Sequence, residues 1–243
     1  NVASGDNVKL SLTGNAEDQR TINVMRDVDF FGQLDVLADG TLDVSPLRNF
    51  TLAGKLAGDS KLTLANRGTV TLKQSNTDFH GILNLMGGAT LVGEQAQAFG
   101  DGTVDIAAWT EDSSLSSTIV IGTKDTEGTL VFNNDIHIAE SAKEGKTTAV
   151  TLETLADTEW RGELTGKGRI DKTGDGDLIL ASANVPETSN GVDENVSKAT
   201  ETSTDKAVDA VPHAVDLNIK NGGLVLNRLF SGNVELQQNT ILS

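Results

Sequence analysis

The chain has 243 residues, enough for one large all-β domain or two small domains. Its 35 acidic against 19 basic residues give a formal net charge of -16, which argues against nucleic acid or an anionic membrane as the main partner, since both select basic surfaces. Cysteine is absent, so disulfides, thiolate nucleophiles and thiolate metal sites are excluded.

The sequence opens at Asn1 without methionine or signal peptide, and a processed product or an excised segment is expected. Strand patterns then dominate in chain order. The stretches VKLSL (8–12), GTLDV (40–44), KLTL (61–64) and TVTL (69–72) alternate apolar with polar residues, as a strand with one buried face does. STIVI (117–121) reads as a strand through its β-branched residues. One short helix is expected over 140–146. No apolar run approaches the roughly 18 to 20 residues of a spanning helix.

The spacing carries more than the strands do. Leu42/Val44 recur 20 residues later as Leu62/Leu64, then 21 later as Leu83/Leu85, and 21 later again as Val104/Ile106. A second, less regular series runs through Leu52, Val70/Leu72 and Leu91. A period near 20 with several short strands per repeat predicts a β-solenoid, whose coils bury their apolar stripes only by stacking. Gly40, Gly68, Gly88, Gly176 and Gly223 are expected at its corners, where glycine adopts positive φ without penalty. The whole of 1–243 reads as one solenoid segment, interrupted over 185–214. That stretch holds six acids, two lysines and no aromatic residue, and is expected to be a flexible acidic excursion. The strand pattern resumes at 215–219.

Residues 66–92, NRGTVTLKQSNTDFHGILNLMGGATLV, resemble the passenger-associated repeat of Gram-negative autotransporter proteins. Gly68, Val70, Leu72, Asn76, Phe79, Gly81, Gly88 and Leu91 follow the pattern, with Phe79 one residue late. GKGRIDKTGDGDLILASAN (166–184) resembles a second copy, interrupted after Asn184 and completed by NGGLVL at 221–226. The resemblance implies an all-β, right-handed parallel β-helix with coils of roughly 20 residues. It also implies export through an outer-membrane barrel, absent from this segment, to the bacterial cell surface or beyond. Passengers of this family include adhesins, self-association factors and proteases.

The residues themselves offer few chemical sites. DKTGDGDLI (171–179) places Asp171, Thr173, Asp175 and Gly176 at the first, third, fifth and sixth positions of a calcium loop, but Ser182 stands where a bidentate glutamate belongs. A coil corner is the better reading. The glycines lack the G-K-[ST] ending of a phosphate loop. Gly58-Asp59-Ser60-Lys61 approaches a GDSG serine-protease motif without its last glycine, so Ser60 is not assigned as a nucleophile. His80, His137 and His213 are too dispersed in sequence to form a local ligand set, and structural or solvent-facing roles are expected. Trp109 and Trp160 stand where the repeat becomes irregular, as end-of-coil packing or as surface contacts. The acids Asp101, Asp105, Glu111 and Asp112 raise the carbohydrate-cleaving chemistry of some β-helices, without evidence that any two face each other. No catalytic, cofactor-binding or metal-ligating residue is therefore assigned, no cofactor is expected, and the chain is read as non-enzymatic.

These observations, with the resemblance, point to a cell-surface adhesin segment acting through multivalent polar contacts. Its expected partners are copies of itself on neighbouring cells, or a host surface protein or glycan, with no nucleic acid. The alternative is the β-helical stalk of a secreted serine protease whose catalytic domain lies elsewhere; a purely structural spacer comes third.

Overall fold

A computed structural model describes residues 8–15, 20–108, 110, 115–182, 215–237 and 240–242. Every strand pairing among them is parallel, and successive strands of the chain fall on three faces in rotation. The chain is a right-handed parallel β-helix.

The second face is a seven-stranded sheet and the third face a nine-stranded one. The first face is divided. Lys9–Leu12, Gln33–Val36 and Leu56–Ala57 form its N-terminal part, while Leu130–Phe132, Thr158–Trp160, Leu178–Leu180, Gly223–Leu226 and Ile241–Leu242 form its C-terminal part. Between them the first face narrows to turns, tied by a parallel bridge from Gly58 to Phe79.

Parallel pairing in register places like residues over like, so a period in sequence becomes a column in space. On the second face, Leu62, Leu83, Val104, Ile136 and Leu164 form one inward column. Leu42, Leu64, Leu85, Ile106 and Ile138 form another. Leu42 thus pairs with Leu64, 22 residues on, and not with Leu62 as the 20-residue spacing suggested. The reason is that Leu62 and Leu64 both point inward, so alternation alone leaves the register ambiguous by two residues. Later coils lengthen. Thr118 pairs with Thr151 and Arg169 with Asp216, so added residues leave the stack as turns without disturbing the columns.

Glycine at the corners serves close approach more often than positive φ. Among the five expected corner glycines, only Gly88 has positive φ, at 86°. A Cβ on Gly68 would lie 2.3 Å from Val44 Cγ1, and one on Gly176 would lie 2.3 Å from the Ala156 carbonyl oxygen. Stacked coils approach there more closely than a methyl group allows. The helix expected over 140–146 is instead a turn, with Gly145 at φ 72°. The expected excursion over 185–214 lies outside the described residues. The stack resumes with Asp216–Ile219, paired to the strand Gly168–Thr173.

Candidate functional site

The stretch 171–179 resolves into the end of one strand, a corner and the start of the next, Leu178–Leu180. Its inward residue is Lys172, which occupies a column otherwise built from Val70, Leu91, Ile119, Leu152 and Ile219. Lys172 is fully buried. Its ammonium donates to the carbonyls of Gly174 (2.9 Å), Asn221 (2.7 Å) and Gly176, which uses all three of its donors. The corner therefore holds a cation at its centre, and that cation is the chain's own side chain. Burial pushes the ammonium down to about 8, while Asp177, Asp175 and Asp157 act against the shift.

The acids of the motif are spent on structure. Asp175 Oδ1 accepts from Asn221 Nδ2 at 2.7 Å, and Asp177 Oδ1 accepts from the Gly223 amide at 2.7 Å. Asp171 points outward on the third face, where it meets Arg169 (2.7 Å), Lys220 (3.0 Å) and Asn218 (3.2 Å). Burial raises its carboxyl, but Arg169 and Lys220 more than offset this and hold it below the usual range. Among the described residues, no three His, Asp or Glu side chains are placed to hold a metal ion.

Two outward columns dominate the flat faces. The second face presents Thr21, Thr41, Thr63, Asn84, Asp105, His137 and Thr165 in register. The third presents Asn49, Thr69, Thr90, Thr118 and Thr151, then Asp171 and Asn218. Neighbours along a column sit about 4.8 Å apart. His137 is exposed within the first column, with Nδ1 3.1 Å from Thr165 Oγ1.

The corner between the first and second faces brings together residues that sequence reasoning treated singly. Asp39, Asp59, Asp78, Asp101, Asp135 and Glu163 are all exposed there on successive coils. His80 Nδ1 contacts Asp101 Oδ1. That hydrogen bond, then the Asp101 charge, raises the imidazole above its ordinary value, with Asp59 and Asp78 adding to the effect. Ser60, on the preceding coil, donates its amide to the Val36 carbonyl and packs tightly enough that its carbonyl oxygen would lie 2.1 Å from a Cβ on Gly81. Its hydroxyl makes no hydrogen bond to His80, so the Ser60, His80 and Asp101 column lacks the nucleophile–base contact of acyl transfer. The spacing of 20 and 21 residues among these three could have revealed the column, since it matches the coil period.

Trp160 is interior. It is fully buried, its Nε1 donates to the Asn134 carbonyl at 2.7 Å, and its ring stacks on Phe132 at 5.4 Å, which in turn meets Phe99 at 4.9 Å. A surface-contact role for Trp160 is thereby excluded. Asp101 and Asp105 do not form a pair: Asp101 faces His80, whereas Asp105 stands in the second-face column between Asn84 and His137. Trp109, Glu111, Asp112 and His213 lie outside the described residues. No helix among the described residues is long and apolar enough to cross a membrane. Comparison with family models, curated proteins and solved structures finds no match to this chain.

Proposed function

We propose that this chain is the adhesive segment of an autotransporter-type surface protein, binding copies of itself or a host surface through many weak polar contacts. The observation that carries this reading is the register of the outward columns. Seven coils place a hydroxyl, amide, carboxylate or imidazole at one repeated position on the second face. Each such contact is weak, but a rigid array makes successive contacts intramolecular, and avidity grows without any strong single site. Placement at the bacterial surface, export through a translocator barrel and the absence of catalysis belong to the same reading, supported by the passenger-like motifs at 66–92 and 166–184.

The test displays the segment on non-aggregating bacteria, beside a surface-exported spacer of similar length. Settling that soluble segment competes away supports self-recognition, and attachment to host-coated surfaces without settling supports a host ligand. Neither effect, with exposure at the surface confirmed, would leave the chain as the stalk of a larger protein.

A further inference from the structure

The turns between the second and third faces differ from the rest of this acidic molecule. On the first three coils they carry Arg26, Arg48 and Arg67, all exposed. No described carboxylate lies within ion-pair reach of the three guanidinium groups, and Asp27, the one acid in these turns, accepts the Asn49 amide at 2.9 Å. Large apolar side chains alternate with the arginines: Met25 is 75% exposed and Leu47 is 93% exposed. Leu47 also has φ 62°, a left-handed conformation that a leucine rarely adopts. Pro46, Arg67 and Met86 line one shallow groove along the corner. The stem of Arg67 lies against Gly88, where a Cβ would come within 3.0 Å of it. Unpaired arginine interleaved with methionine and leucine on a strained turn is the composition of a docking surface.

We infer that this arginine-rich corner docks onto the acidic corner of a second copy of the chain. The charges are complementary, since the acidic corner presents Asp39, Asp59, Asp78 and Asp101 on successive coils. The pitches also agree, because both ladders repeat with the same stacked strands, about 4.8 Å apart. At a net charge of -16, two copies repel over most of their surfaces, so the one unpaired basic edge selects both partner and orientation. The contact joins two different edges. It therefore leaves each copy with one free basic and one free acidic corner and propagates openly instead of closing as a dimer.

The inference rests on the self-association arm of the proposed function, and mixing cells separates the two. One population displays R26E/R48E/R67E and another displays D59K/D78K, positions chosen because their side chains are exposed and make no structural hydrogen bond. Each population alone is expected to settle at least ~10-fold more slowly than the parent chain, whose settling weakens with added salt. The mixture is expected to settle, because the first retains its acidic corner and the second its arginines. Leu47→Asn provides a variant whose left-handed turn is better tolerated, so slower settling by it cannot be assigned to misfolding. Settling of the arginine variant at the parent's rate, or a mixture that stays dispersed, overturns the docking geometry while leaving adhesion standing. A parent chain that does not settle overturns both the docking and the self-association arm, and host attachment is then read separately.

Discussion

Lys172 shows how much a single side chain decides here. Its charged head stands in an apolar column, and three backbone carbonyls from two different corners turn toward it. Replacing it with methionine keeps the volume but leaves those carbonyls without donors, and Lys172→Met should cost on the order of 3 kcal/mol in denaturant unfolding. The pH dependence has a definite sign. Between about 8 and the ordinary 10.5, the unfolded chain keeps a proton that the folded chain has released. Stability from this group therefore rises with pH across that window and is lowest, and flat, below it. The stability difference between the parent chain and Lys172→Met should widen in favour of the parent from pH 7.5 to 10. A difference that stays constant or narrows would show that the ammonium is not desolvated as its burial implies.

At the scale of the element, glycine plays two separable parts. Gly68 has ordinary φ but no room, with Val44 Cγ1 2.3 Å from any added Cβ. Gly128 has open space but φ 77°. Gly68→Ala should cost roughly 1–3 kcal/mol through overpacking between coils. Gly128→Ala should cost about 1–2 kcal/mol through backbone strain, largely recovered in Gly128→Asn, since asparagine tolerates the left-handed region. Thermal melts of the three variants separate the causes: an asparagine at 128 no better than alanine would refute the conformational account. The aromatic series Phe99, Phe132 and Trp160 fills the first face where its strands begin again, and its interior position follows from the free hydrogen-bond acceptor that Asn134 offers the indole.

For the whole molecule, stability is a sum over neighbouring coils, and each inner coil has two neighbours where an outer one has a single neighbour. Amide exchange should accordingly be slowest between about residues 62 and 106 and fastest in the first coil and beyond 215, a gradient of local opening along the axis. Uniform protection from end to end would mean that the stack opens only as a unit.

Much of this architecture was legible beforehand. Alternating Leu and Val at a period near 21 leaves few ways to bury the apolar stripes, and stacking parallel coils is the one that uses the period. The strands 40–44, 69–72 and 117–121 were readable for the same reason, as was the corner at 171–177 once its calcium pattern failed for want of a glutamate. The register between Leu42 and Leu64 was not, because two-residue alternation repeats too often to select one pairing. Nor was the role of Lys172, since nothing local distinguishes a lysine that points into a core from one that points to water. The sequence by itself determined the solenoid and its polar outer columns, because periodicity acts at every coil alike. Only the tertiary structure decided which residues from different coils meet at a corner: the ammonium with its three carbonyls, His80 with Asp101, and the arginines left without partners. Those meetings depend on the exact length of each turn, and turn length changes the position of a side chain without leaving any mark on the hydrophobic pattern.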